Sequence, residues 1–543
     1  MEINVDGDNV LTQHFERARL EVHEGQGKAG EMVLGTRLGV MLVPMNLRLI
    51  AVNDFHGQIS KGRRFNNKDV GGAAILATYV KNSRAGAPYS LLVNAGDNVG
   101  ASPPASALLQ DQPAIDFFNR LGMDVGTIGN HEFDEGLEEM LRLYNGGKHP
   151  KVGDWKGANF PTTVANVVYK SNNKPIFPPY YIANVDGARV GFIGVVLKDT
   201  PTIVIESATK DVLFLDEVES VNKYVKELQG KGVKTIIVLA HQGGSQDAAT
   251  GKVTGPIVSM TEGFDDEVDV VITGHTHTLV NATIDGKLVV QALSYSQAFD
   301  EVDLVIDRAK RDVVSKKGNV VVTYAEGVTP DAEIDKMVKD YEAQTAAKVN
   351  EVIGTASKRL SGDQNPAGES DLGNLIADAQ RAQMGTQFAF MNPGGIRAPI
   401  EAGEVTWGEL FTVQPFSNDV VKMTLTGDQI YTLLNQQWQT NPDGTRRTRF
   451  LQISGLSYTW NDSLEWGNKV VEVRGADGKA LDKAAEYSLT VNSFLSTGGD
   501  SFTILRSGKN KVVGPDDLTA LINYIKSLPQ PFTANIEGRI VKQ

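Results

Sequence analysis

The sequence predicts an α/β protein of two domains, and three observations carry that prediction. From Asn46 onward, short apolar runs alternate with helix-like stretches, the pattern of strands layered with helices. Near residue 330 the character changes, and residues 352–543 carry strands and helices of their own. A chain of 543 residues has room for two separate cores at roughly 100 to 250 residues per domain.

Residues 1–45 are set aside as a tail of unclear role. The apolar run Met32–Met45 is interrupted by Arg37 and falls short of the roughly 18 residues a bilayer span needs. Glu2, Asp6, Asp8, Glu16, Glu21, Glu24 and Glu31 ahead of it make a poor signal peptide, which needs a basic start and an unbroken apolar core. The first domain, 46–325, is expected to be built on LRLIAV (47–52), SLLVNA (90–95), VGFIGVV (190–196), TIIVLA (235–240) and VDVVITG (268–274). These runs are rich in β-branched residues and read as buried strands. All but VGFIGVV are followed within a few residues by Asp or His, and strand ends are where such folds build sites. A connecting helix is expected within 326–351, because Ile334, Met337, Val338, Tyr341 and Val349 recur at helical spacing after Thr329-Pro330. The second domain, 352–543, has strands at VVKMTL and YSLTVNSF and helices around Leu372–Met384 and Leu518–Leu528.

Composition excludes several chemistries. With no cysteine, thiol catalysis, thiolate-held zinc, iron–sulfur clusters and disulfides are ruled out. A net charge of -13 argues against binding a nucleic-acid polymer through a global basic field.

Five of the eight histidines fall in polar motifs at strand ends: His56 in NDFHG, His131 in GNHEFDEG, His241 in AHQGG, and His275 and His277 in GHTH. With them come Asp54, Asp97 in NAGDNVG, and Asn130. All are oxygen or imidazole ligands suited to zinc, manganese or iron. Residues two apart on an extended chain point the same way, so DxH and HxH are each expected to reach one ion. An acid such as Asp97 can bridge two cations, and such a pair activates water and polarises a phosphoryl group. Taken singly, a DxH or one buried histidine is more often structural; five such segments in one chain argue for a site.

In this order the segments resemble the calcineurin-like metallophosphoesterases, and the two-domain length resembles their 5'-nucleotidase branch, which includes UDP-sugar hydrolases. The resemblance implies a four-layer α/β sandwich followed by an α/β substrate-binding domain, and two divalent metal ions, zinc, manganese or similar. It implies one metal on Asp54, His56, Asp97 and His277, a second on Asp97, Asn130, His241 and His275, and a catalytic dyad of His131 and Asp134. An i, i+3 pair on a helical turn can touch, so Asp134 can orient His131.

In the second half, NPGGIR (392–397), QPFSN (414–418), ISGLSY (453–458) and NSFLSTGGD (492–500) are weak signals alone. Two phenylalanines can sandwich a nucleobase, and a carboxylate can accept from ribose hydroxyls. The resemblance assigns the base to Phe416 and Phe494, the ribose to Asp500 and phosphate or ribose contacts to Asn392 and Arg397, counts Asn418 among the substrate-binding residues, and puts Gly455 where family backbone lines the pocket. One departure stands out: family nucleotidases often place an arginine just before the segment that reads DLGNLIADA here, where this chain has Ala367, Gly368 and Glu369.

The expected activity is hydrolysis of nucleoside 5'-monophosphates. A 2',3'-cyclic nucleotide phosphodiesterase with 3'-nucleotidase activity and a nucleotide-sugar pyrophosphatase are the alternatives within the same chemistry. A nucleotide-binding surface protein with a degenerate metal site is the non-enzymatic one. By resemblance the protein is periplasmic or extracellular; without a visible export signal, cytoplasmic is the alternative.

Overall fold

The computed structural model describes residues 44–440 and 444–543 in full. Before them it describes only backbone pairing, an antiparallel succession of Glu2–Ile3, Asn9–His14, Arg19–Glu24 and Glu31–Thr36. Most of the expected tail therefore lies outside the described residues. The first strand of the main fold begins at Met45, which is buried.

Two sheets form the middle of the first half. One runs Asp312–Val322, Ala298–Asp307, Met45–Val52, Ser90–Asn94, with the last pair parallel. The other has six strands, in the order Tyr180–Val185, Ala188–Val196, Thr235–His241, Val268–Thr273, Lys287–Ala292, Leu279–Ile284. Their facing sides share a core of Leu47, Leu49 and Val93 with Phe192, Ile237, Leu239 and Ile272. Helices cover both outer faces. Ile50, Val52 and Leu92 pack with Leu76, Phe117 and Phe118, while Ile236, Val238 and Val271 pack with Val221, Val225 and Leu228. The result is the four-layer sandwich the resemblance implied. It also explains why these strands read as unbroken apolar runs: alternate residues enter different cores, and neither face meets water.

Buried charged residues interrupt that pattern at Asp269, Lys287 and Asp300. Asp300, on Ala298–Asp307 beside Ala51, is fully buried, and neither carboxylate oxygen has a hydrogen-bond partner among the described residues. Burial pushes its pKa well above the carboxylate range.

Helix Ala332–Val349 connects the halves. Its N-cap Asp331 accepts from the Ile334 amide, and Ile334, Met337 and Val338 are buried against the first domain. A five-stranded sheet then runs Gln452–Ser454, Phe388–Met391, Glu486–Asn492, Asp419–Thr426, Lys509–Asp516. Helices Asp371–Met384 and Asp517–Ser527 build one of its cores through Leu375, Ile376, Leu521 and Ile525. A second core gathers Ile430, Leu433, Trp438, Tyr458 and Trp460. No described helix is long and apolar enough to cross a membrane.

Candidate metal centre and active site

The polar motifs converge where the parallel strands of both sheets end. Asp54 and His56 follow Met45–Val52, Asp97 follows Ser90–Asn94, His241 closes Thr235–His241, and His275 and His277 follow Val268–Thr273. The extended-chain reasoning for DxH and HxH is corrected here. Asp54, His56, Asp97, His275 and His277 have φ of 48°, 47°, 49°, 73° and 56°, so the chain has left the strand and turned through the left-handed region. Asp and His tolerate that region better than most residues. Asp54 and His56 still share one cluster with His277, but His275 joins Asp97 and His241 in another. HxH thus serves two clusters rather than one, the division that the resemblance implied and the spacing did not.

The donors face each other closely. His56 Nε2 lies 3.1 Å from His277 Nε2, and His277 Nε2 lies 3.4 Å from Asp54 Oδ1. Asp97 Oδ2 stands between the clusters, 3.7 Å from His56 Nε2 and 3.0 Å from His241 Nε2. Asn130 Oδ1 is 3.0 Å from His275 Nδ1. Each inward-facing imidazole of His56 and His241 is fixed from behind, with Nδ1 donating to the carbonyls of Gly100 and Ala95, both at 2.8 Å. That bond selects the tautomer whose Nε2 lone pair points inward.

Electrostatics fit a cation. Burial raises Asp54 and Asp97, but the facing histidines hold both below the ordinary carboxylate value, Asp97 well below it. Burial takes His56 well below its usual value and His275 down to about 3, so both are neutral donors. Burial opposes charge on His241 too, yet the Asp97 carboxylate lifts it to about 9. Its buried Nε2 lacks a hydrogen-bonding geometry to any described partner. Asp97 thus draws positive charge to His241, and a divalent ion on these nitrogen and oxygen donors would take the place of that proton.

Beside the clusters, the 3-10 turn His131–Phe133 brings His131 Nδ1 to 2.8 Å from Asp134 Oδ2. Burial works against protonation of His131, but Asp134 and Asp97 outweigh it and raise its pKa. The His131 amide donates to Asp97 Oδ1 at 2.9 Å, tying dyad to cluster.

The second domain reaches this centre directly. Phe416 stacks on the His131 ring, centroids 5.7 Å apart, and the Arg397 guanidinium lies 5.7 Å from the Phe416 ring. Asn418 Oδ1 accepts from the Phe494 amide at 3.2 Å, so it ties the two aromatic-bearing segments together. Asp500 is braced on both sides, by Arg449 Nη1 at 2.7 Å and by Asn392 Nδ2 at 3.0 Å. Of the expected substrate residues only Arg397 lines the large cleft, and Gly455 has a structural role of its own: its φ of 81° belongs to a turn where a Cβ would strike the Gln387 carbonyl. At 367–369, where the additional arginine was missing, Gly368 packs on Phe450 and buried Glu369 accepts from Asn374 Nδ2.

Sequence reasoning missed four residues. Glu132 is buried behind Asp97 and accepts from the amides of Asp97, Asn98 and Gly129 and from the Tyr144 hydroxyl. Burial and Asp97 push it to about 7. It lies inside GNHEFDEG, so the motif contained its signal. Tyr295 packs its ring 5.0 Å from His56, accepts from Arg397 Nη2 at 3.3 Å, and carries the Arg63 guanidinium 3.9 Å over its face. Neither Tyr295 nor Arg63 stands in a recognisable motif; nor does Arg449.

An α/β sandwich that gathers the overlapping groups Asp54/His56/His277, His56/Asp97/His131 and Asp97/His241/His275, with His131 paired to Asp134, has the donor set of a metal-dependent phosphoester hydrolase. Comparison with known proteins agrees. Residues 47–279 match the calcineurin-like phosphoesterase family and residues 352–507 the 5'-nucleotidase C-terminal domain. Endonuclease YhcR of Bacillus subtilis (strain 168) is 40% identical over 91% of this chain, which spans only 41% of that relative's length. Cell wall protein Lmo0130 of Listeria monocytogenes is 36% identical, over 91% of this chain and 69% of its own. The crystal structure of a 5'-nucleotidase precursor from Thermus thermophilus is 31% identical, with a TM-score of 0.79, covering 92% of this chain and 99% of that one. The chain belongs to the 5'-nucleotidase family.

Proposed function

We propose that this enzyme hydrolyses nucleoside 5'-monophosphates to nucleoside and phosphate. The observation that carries the reading is the stacking of Phe416 on His131 at 5.7 Å, which puts a ring able to hold a base within one contact of the hydrolytic centre. Asp54, His56, Asp97 and His277 would hold one divalent ion, and Asp97, Asn130, His241 and His275 the other. When bound, such ions supply Lewis acidity and a more acidic water. The chain's own groups do the rest. The His131–Asp134 pair offers a proton or hydrogen bond to the oxygens that gain charge as the P–O5' bond breaks and water's oxygen bonds to phosphorus. Arg397 meets the phosphate as a fixed charge. Phe416 and Phe494 take the base, and the remaining lone pairs of Asp500 take ribose hydroxyls.

A substrate panel on the metal-loaded enzyme tests this. AMP and UMP should turn over faster than 2',3'-cyclic AMP or UDP-glucose; failure on both monophosphates, with either competitor cleaved, would replace the reading. The cell-wall name of the 36%-identical relative supports placing the enzyme outside the cytoplasm.

A further inference from the structure

The cleft opening from the metal cluster is larger than a monophosphate requires. At about 1090 Å³ it exceeds the roughly 300–1,000 Å³ of most small-ligand sites. Asp97, His131, His275, His277 and Arg397 lie at one end. It then runs between a first-domain wall that carries Asp199, Asp216 and Glu217 with Lys198, the last paired with Asp216 at 2.9 Å, and a second-domain hairpin, Trp438–Thr440 paired with Arg446–Thr448, which supplies positive charge left unpaired by any described residue.

That hairpin is basic and tied to the residue proposed for the ribose. Gln439 Nε2 donates to the Asp500 carbonyl at 2.6 Å, and Arg449 Nη1 pairs with Asp500 Oδ1 at 2.7 Å. Gln439 is the cross-strand partner of Arg447. Opposite partners share a face, and Arg449, two residues on, falls on the same side. The three arginines differ in what they meet. Arg449 has Asp500, and Arg446 lies 5.1 Å from the Trp466 ring. The Arg447 side chain lines the cleft, with no hydrogen bond or ion pair to any described residue. It is exposed, with Arg449 as a like-charged neighbour and the Asp500 carboxylate as an opposite one.

We propose that Arg447 binds a second phosphate on the 3' side of the ribose whose 5' phosphate is cleaved, so that the enzyme takes nucleotides phosphorylated at both ends of the sugar. The inference rests on the nucleotide reading given above. With Asp500 accepting from the hydroxyl that stays free, a phosphate on its neighbour lies toward the hairpin, and Arg449 offsets the repulsion from the carboxylate. Two sources share this chemistry: a nucleoside 3',5'-bisphosphate, and the 5'-phosphorylated end of a short oligonucleotide, for whose next residue the rest of the cleft leaves room.

The test compares kcat/KM of the metal-loaded full chain on AMP, adenosine 3',5'-bisphosphate and a 5'-phosphorylated dinucleotide, with a simple aryl phosphate as reference. In Arg447→Gln the ratio of either doubly phosphorylated probe to AMP should fall about tenfold, the scale of one charge-assisted contact. Arg447→Lys should restore part of it. Titration calorimetry on His131→Ala should show the same loss of affinity for the bisphosphate when Arg447→Gln is added. The probe whose ratio falls identifies the source. Ratios that move less than about threefold on both probes overturn the subsite while leaving the monophosphate reading intact. An enzyme active on the aryl phosphate but not on AMP removes the nucleotide reading and the subsite together.

Discussion

The two sides of the cleft hold their functional groups in opposite ways. On the metal side, the candidate ligands stand at or just past the ends of strands, and two of them, His56 and His241, have Nδ1 pinned by the carbonyls of Gly100 and Ala95. On the substrate side, groups are held by other side chains, Asp500 between Arg449 and Asn392, and the two phenylalanine segments by Asn418. Backbone delivery suits a centre that must keep like charges apart at fixed distances. Side-chain bracing suits a surface that must fit substrates and release them.

That contrast is open to breaking. The largest effect is expected at Asp97: Asp97→Ala should remove nearly all turnover and lower metal content measured by mass spectrometry, because the one carboxylate between the clusters is gone. Retention of both metals would show that Asp97 is not the bridge. His131→Ala should cost roughly 10² to 10³ in kcat with metal content nearly intact; a parallel loss of metal would place His131 among the ligands instead. On the opposite wall, Phe494→Ala should weaken nucleotide turnover by about 1–3 kcal/mol, read as kcat/KM for AMP, and leave an aryl phosphate almost unaffected. Equal losses on both substrates would make Phe494 a packing residue.

The smallest effect touches stability rather than chemistry. The raised pKa of Asp300 in the folded state means the native protein keeps a proton that the unfolded chain releases above its ordinary value of about 3.9. Stability is therefore lost as pH rises through that window, by at most about 1.4 kcal/mol per pH unit. Asp300→Asn, neutral at every pH, should unfold at a higher temperature than the parent at pH 8 and by a smaller margin at pH 5. A margin independent of pH would show that Asp300 is ionised in the fold.

The strands that carry the metal side were legible because their runs are apolar on both faces, and their ends were legible because Asp and His interrupt them. What spacing could not give was the division of labour in GHTH. Which cluster His275 and His277 each join depends on left-handed turns, and a rule built on extended chain assigns them to one ion. Glu132 was hidden in plain view, its role visible only once the amides of Asp97, Asn98 and Gly129 were seen to converge on it. On the substrate side the limits were of another kind. Arg449, Tyr295 and Arg63 act through partners far away in sequence, and no local pattern marks a residue whose meaning lies in a contact across the chain. Gly455 shows the converse, a motif position whose glycine answers to a tight turn.

The left-handed backbone at Asp54, His56, Asp97, His275 and His277 also constrains how such a site can decay. A position with that conformation admits Gly, Asn, Asp and His far more readily than a β-branched residue. In descendants that lose the activity, these positions should drift toward asparagine or glycine long before valine or isoleucine, so the outline of the centre would persist in the sequence after its chemistry had gone.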